Sequence, residues 1–274
     1  MYLNFYGFKE NPFNITSDPS FLYLSNTHKE AFNHLLYGIN QRKGFVEITG
    51  EIGAGKTTLC RALLNQLDEK TKTSFIFNSS LPENQLLEAV LHDFGIIPER
   101  RNKAVFIRQL NNFLLDQLSK GNNTVLIIDE AQNMRASSLE TIRMLSNLET
   151  EKEKLLQIIL VGQPQLRAKL NSPNLLQLKQ RISVRFHVTP LEKNEVREYI
   201  GHRLGVAQPT RQIIFAPEAI DAIFSYSKGI PRVINVLCDK ALLLSFVREC
   251  LTIDEDVIKK SIEEIEGIFT MAVR

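Results

Sequence analysis

The chain has 274 residues, 43% of them hydrophobic and 23% charged, with a net charge of +2. That apolar content suits an ordinary globular protein with a sizeable core, in one large or two small domains. The charge is too small to argue by itself for a nucleic-acid footprint. No stretch approaches the ~20 apolar residues that span a bilayer. The start, Met1-Tyr2-Leu3-Asn4-Phe5-Tyr6, lacks a basic region followed by an apolar run and does not read as a signal peptide. Cys60, Cys238 and Cys250 are odd in number and without C-x-x-C spacing, so they read as reduced thiols of a cytosolic protein. The five histidines are scattered and offer no metal-binding pair.

Residues 1–27 are dense in aromatics (Phe5, Tyr6, Phe8, Phe13, Phe21, Tyr23) and carry turn signals at Asn11-Pro12-Phe13 and Asp18-Pro19-Ser20. A solvated tail would not carry so many rings, so this segment is expected to pack on the body of the domain. Asn26-Thr27 caps a predicted helix to about residue 40, with His28 in its first turn as a surface or capping residue. Residues 45–49 read as a buried strand, 73–77 as a second, 124–128 as a third, 155–161 as a fourth and 183–188 as a fifth. Helical periods lie between them, including one opened by Pro82 and one preceded by the basic cluster Arg100, Arg101 and Lys103. Alternation of apolar strands with helices predicts a parallel sheet covered on both faces. After Pro190 the strand signals stop, and helical patterns at about 192–204, 217–227, 232–248 and 254–268 predict a second, all-helical domain. The division is therefore 1–190, including the aromatic segment 1–27, and 191–274.

The chemistry concentrates at strand ends. Gly50-Glu51-Ile52-Gly53-Ala54-Gly55-Lys56-Thr57 fits G-x-x-x-x-G-K-[ST] between a strand and a helix, the phosphate-binding loop of nucleoside-triphosphate sites. Its glycines let successive N–H groups point inward, and the following helix adds its positive dipole end, with Thr58 next in line. Lys56 would reach the β- and γ-phosphates, and the Thr57 hydroxyl would bind Mg²⁺. Asp129-Glu130 ends the third strand in the Walker B layout: Asp129 for Mg²⁺, Glu130 to orient and polarise the attacking water. Gln163, in the turn Gly162-Gln163-Pro164, stands where a polar group could sense the γ-phosphate. Arg181 and Arg185 flank the start of the fifth strand; Arg181 could project toward a neighbouring subunit, Arg185 suits a structural or interface ion pair, and a surface salt bridge is the default for either. Arg232, in the first turn after Pro231, sits where the helix dipole disfavours a cation unless an anion is near.

In that order the motifs resemble an AAA+ ATPase: the loop at 50–57, Asp-Glu-Ala-Gln at 129–132, Gly-Gln-Pro at 162–164, Gln-Arg at 180–181 and Gly-Ile-Pro-Arg at 229–232. Tyr6-Gly7-Phe8, Glu10-Asn11-Pro12-Phe13, Phe21-Leu22-Tyr23-Leu24-Ser25 and Leu36-Tyr37-Gly38-Ile39 narrow the resemblance. They point to secretion ATPases of the general-secretion-pathway protein A kind and their mannose-sensitive pilus relatives. The resemblance implies an αβα P-loop NTPase core with a five-stranded parallel sheet, followed by a helical lid closing over the nucleotide. It implies ATP and Mg²⁺, with Glu130 as catalytic base, Gln163 as the first sensor in place of a more usual Asn or Thr, Arg181 as a trans-acting arginine finger and Arg232 as the second sensor. Pro12 and Phe13 would contribute to the adenine pocket by analogy. The implied protein is cytoplasmic, peripheral at the inner face of the bacterial inner membrane, and forms a ring or stack of its own copies or an assembly with a related secretion or pilus component. Membrane contact would come through a partner or a segment not present here, and no nucleic-acid partner is expected. Two other readings stay open: a DNA-handling ATPase of the transposition-regulator type, and a nucleotide-gated scaffold with little turnover. A GTPase would want Asn-Lys-x-Asp, which Asn102-Lys103-Ala104-Val105 does not supply.

Overall fold

The computed structural model describes residues 2–267. In chain order the elements are α1 (Tyr2–Tyr6), α2 (Asn26–Asn40), β1 (Phe45–Gly50), α3 (Lys56–Gln66), β2 (Thr71–Ile76), α4 (Glu83–Asp93), α5 (Lys103–Ser119), β3 (Asn123–Ile128) and α6 (Ala136–Leu145). They continue with β4 (Gln157–Gly162), α7 (Pro164–Leu170), α8 (Leu176–Arg181), β5 (Ile182–Val188), α9 (Lys193–Ala207), β6 (Ile214–Phe215), α10 (Pro217–Ser227), α11 (Pro231–Val247), β7 (Thr252–Ile253) and α12 (Glu255–Glu266).

The chain divides into two compact units. The first holds residues 26–51 and 56–188 and is built on a five-stranded sheet of order β2-β3-β4-β1-β5. Every pairing in it is parallel, as continuous apolar strands require when both faces are covered. β1, β3 and β4 are buried almost throughout, and Phe45, Leu126, Ile128, Ile158 and Leu160 meet Leu86, Leu110, Leu139 and Ile142 from the helices. β4 lies between β1 and β3, so its carboxyl end at Gly162 stands between the end of β1 and the end of β3. That insertion decides which loops meet.

The second unit holds residues 2–25, 52–55 and 189–267. Its core joins Leu191, Val196, Ile220, Ile223, Leu237 and Ile258 to Tyr6, Phe8, Phe13 and Phe21. The aromatic segment therefore packs with the helices of this unit, as the sequence expects of a segment packed on the body of the protein, although the sequence division groups residues 1–27 with 28–190. Arg203, 5% exposed, binds the carbonyls of Pro12 and Asn14 and stacks its guanidinium over Phe21. The helical unit also carries a short parallel pairing of β6 with β7, two residues each, that the sequence pattern does not announce. His28, expected at the surface or as a cap, is 3% exposed in α2.

Candidate active site

β1 runs into the glycine-rich loop at Gly50. Here a Cβ would stand 2.7 Å from the Val188 carbonyl, so the close approach to β5 requires glycine. Gly53 and Gly55 have φ of +78° and +88°, a region L side chains rarely adopt, and these two residues turn the loop. α3 then starts at Lys56. The Lys56 side chain is 5% exposed, and its Nζ donates to the carbonyls of Gly50 at 2.8 Å and Glu51 at 2.9 Å. Burial lowers its pKa; Glu130, Asp129 and Glu51 pull the other way.

The Thr57 hydroxyl donates to Asp129 Oδ2 at 2.6 Å. Asp129 lies just past β3, held by its own N–H on the Ile76 carbonyl at 2.9 Å, and it is 3% exposed. Burial raises its pKa, opposed by the Thr57 hydroxyl and the Glu130 N–H, which donates to Asp129 Oδ1 at 2.8 Å. Glu130 has φ +51° and ψ 35°. A strand would send two adjacent side chains to opposite faces; the left-handed backbone at Glu130 breaks that alternation at the sheet's carboxyl edge. Glu130 Oε2 then accepts from Nε2 of Gln163 at 3.1 Å and from Nε2 of Gln132.

The structure thus brings Lys56, Thr57, Asp129, Glu130 and Gln163 to one edge of the sheet unit. Arg181, at the end of α8, donates from Nη1 to the Ser146 hydroxyl at 2.8 Å within the same unit. Arg185 pairs with buried Glu47 at 3.2 Å, the structural role its strand position suggested. In the helical unit, exposed Arg232 donates its backbone N–H to the Gly53 carbonyl at 3.2 Å, and a Cβ at Gly53 would stand 2.6 Å from the Arg232 Cβ. Pro12 and Phe13 are buried in that unit, the Phe13 ring 2% exposed and edge-on to Phe215. Of the other loop residues, Glu51 and Ile52 are exposed and Ala54 is buried; Thr58 is partly exposed on α3. Sequence reasoning passed over Gln132 and Lys169. Gln132 was already visible as the last residue of Asp-Glu-Ala-Gln. Lys169, whose Nζ donates to the Gln132 and Met134 carbonyls, left no comparable signal.

The five-stranded order and flanking helices recur in solved structures. The Aeropyrum pernix ORC2 protein in its ADPNP–ADP complexes superposes with a TM-score of 0.68 at 18% identity, covering 96% of this chain and 74% of that one. The Thermotoga maritima RuvB Holliday junction branch migration motor gives 0.60 at 18% identity over 89% and 70%. Residues 39–170 match the family model described as an AAA domain. The fold is that of an AAA+ P-loop NTPase. Among curated proteins, the chain is 42% identical over 269 residues to General secretion pathway protein A of Aeromonas hydrophila, covering 98% of this chain and 49% of that protein. It is 25% identical over 251 residues to an uncharacterized HTH-type transcriptional regulator of Methanocaldococcus jannaschii, covering 86% and 60%. The chain thus spans about half the length of the secretion relative.

Proposed function

We propose that the chain binds ATP with Mg²⁺ at the 50–57 loop and hydrolyses it, and that hydrolysis serves the assembly of a secretion or pilus-type envelope machine. The observation that carries the hydrolytic part is the meeting of Lys56, Thr57, Asp129, Glu130 and Gln163 at one sheet edge, with Asp129 bonded to Thr57. Backbone N–H groups of residues 51–57 cradle the phosphates, and Lys56 turns from the loop carbonyls to the β- and γ-phosphates. The Thr57 hydroxyl and Asp129 carboxylate are hard oxygen donors 2.6 Å apart. That set suits Mg²⁺, which takes one or two protein oxygens and fills its shell with phosphates and water. When bound, the ion neutralises charge on the β- and γ-oxygens.

Glu130 accepts a proton from the attacking water. The water oxygen bonds to the γ-phosphorus, the bond to the β–γ bridging oxygen breaks, and ADP leaves with that electron pair. Gln163, bonded to Glu130, senses the γ-phosphate. Arg232, whose residue touches the loop at Gly53, is the second sensor. Arg181 completes the site of a neighbouring copy, which makes the working form an oligomer. Pro12 and Phe13 are assigned to the adenine site by analogy alone, since the Phe13 ring is committed to the core, the Pro12 carbonyl accepts from Arg203 and the Phe13 N–H donates to Asn11 Oδ1.

The 42% identity to General secretion pathway protein A supports the secretion role, and the cytoplasmic site at the inner membrane and the related partner component are part of the same proposal. No helix among the described residues is long and apolar enough to cross a membrane, so membrane contact is assigned to a partner or a further segment. The HTH-type relative supports a DNA-handling reading as the alternative. Against it, two residues of the local basic cluster are already paired, Arg101 with Glu88 at 3.1 Å and Lys103 with Glu83 at 2.7 Å.

Nucleotide titration and phosphate release test the reading. Lys56→Ala should lose tight ATP binding, and Glu130→Gln should bind ATP and fail to turn it over. Hydrolysis by Glu130→Gln at the parent rate would remove Glu130 as base. Stimulation of hydrolysis by duplex DNA at physiological salt would favour the alternative.

A further inference from the structure

Gln132 bridges two loops that the sequence separates by thirty-one positions. One end of its amide, Nε2, donates to Glu130 Oε2; the other, Oε1, accepts the Gln163 backbone N–H at 3.0 Å. Gln163 returns the connection by donating its own Nε2 to the same Glu130 oxygen at 3.1 Å. The turn carrying Gln132 is fixed from behind by Lys169, which donates to the Gln132 and Met134 carbonyls, and by the Ser79 hydroxyl, which donates to the Glu130 carbonyl at 2.6 Å. The end of β4 leaves room for the bridge: a Cβ at Gly162 would stand 2.7 Å from Gln132 Oε1 and 2.9 Å from Leu166 Cδ2.

We infer that Gln132 is a positioning residue for Glu130, acting with Gln163 as an amide clamp on Oε2. Both donors meet that one oxygen, so Oε1 is the oxygen left to take the water's proton. A carboxylate free to turn about its last bond would lose that alignment, and misplacement of a catalytic group by about 1 Å costs on the order of 100-fold in rate. The inference rests on the hydrolytic reading above, and it adds a coupling: whatever displaces the end of β4 also displaces the base.

Steady-state hydrolysis and equilibrium binding of a non-hydrolysable ATP analogue, on the full chain, test it. Gln132→Ala should lower kcat by up to about 100-fold, the cost of about 1 Å of misplacement, with KM and analogue Kd unchanged. Gln132→Glu keeps an acceptor for the Gln163 N–H but replaces the donor by a second carboxylate, and should lose as much. Gly162→Ala should lower kcat by pushing the amide aside, and should add little in a Gln132→Ala background. A kcat for Gln132→Ala within about twofold of the parent overturns the inference. Parallel losses in kcat and analogue affinity also overturn it, being the mark of a merely structural residue. Full additivity of Gly162→Ala with Gln132→Ala would remove the docking against β4 on which the clamp depends. A parent chain that binds the analogue but hydrolyses no faster than Glu130→Gln would instead defeat the hydrolytic reading and the clamp together.

Discussion

Glu47 is a carboxyl in the middle of β1, 2% exposed, with Arg185 at 3.2 Å and Arg167 at 3.7 Å. Burial pushes its pKa up from the ordinary 4.5, against the pull of both arginines. A group whose folded pKa lies above its unfolded one holds its proton longer in the folded state. Its contribution to stability therefore falls as pH rises from the ordinary carboxylate range to the raised value, and is constant beyond it. Glu47→Gln has no such titration. Chemical denaturation at a series of pH values should show the Gln variant gaining on the parent across that window. A difference that stays constant with pH would mean that Glu47 titrates as it does in the unfolded chain. Asp129 is raised for the same reason, yet there the Thr57 hydroxyl and the Glu130 N–H favour the charged form.

α12 shows how local signals and tertiary packing share an element. The Asp254 side chain accepts the Val257 N–H at 2.9 Å, with Glu255 and Asp256 in the first turn complementing the dipole. Val257 and Ile258 enter the helical core. Asp254→Ala should cost about 1 kcal/mol, the usual value for a lost N-cap, measured as a shift in the denaturation midpoint at unchanged slope. The helical periods were legible in the sequence, as were the five strands, within about two residues of where they fall. The β6–β7 pairing was not, because two-residue strands have no period. Nor was α7 over Pro164–Leu170: its Pro164 reads equally well as a turn, although proline also suits a first helical position. The rings of Tyr6, Phe8 and Phe13 announced burial, but an apolar residue does not say which surface it will bury against.

At the scale of the whole molecule, the phosphate loop and the Asp129-Glu130 pair were legible because each is contiguous and carries its own flanking strand and helix. The link from Gln132 to Gln163 was not, since it exists only because β4 is inserted between β1 and β3. Arg181 belongs to the same class of problem: within one chain its guanidinium rests on Ser146, and a role in a second copy is a property of an assembly. On the proposed roles, Arg181→Ala and Glu130→Gln should each be inactive alone, and mixing them should restore part of the turnover, one supplying the base and the other the finger. Full activity of Arg181→Ala in a monomer would exclude a trans role.

Glu130 sits in a backbone conformation that costs a non-glycine residue about 1–2 kcal/mol. Glycine or asparagine would occupy it with less strain. Selection for thermal stability alone would therefore drift away from glutamate at this one position, and selection for turnover would hold it there. A library of variants at position 130 sorted separately on the two traits should enrich different residues, which makes this one position a direct measure of the trade-off between stability and turnover.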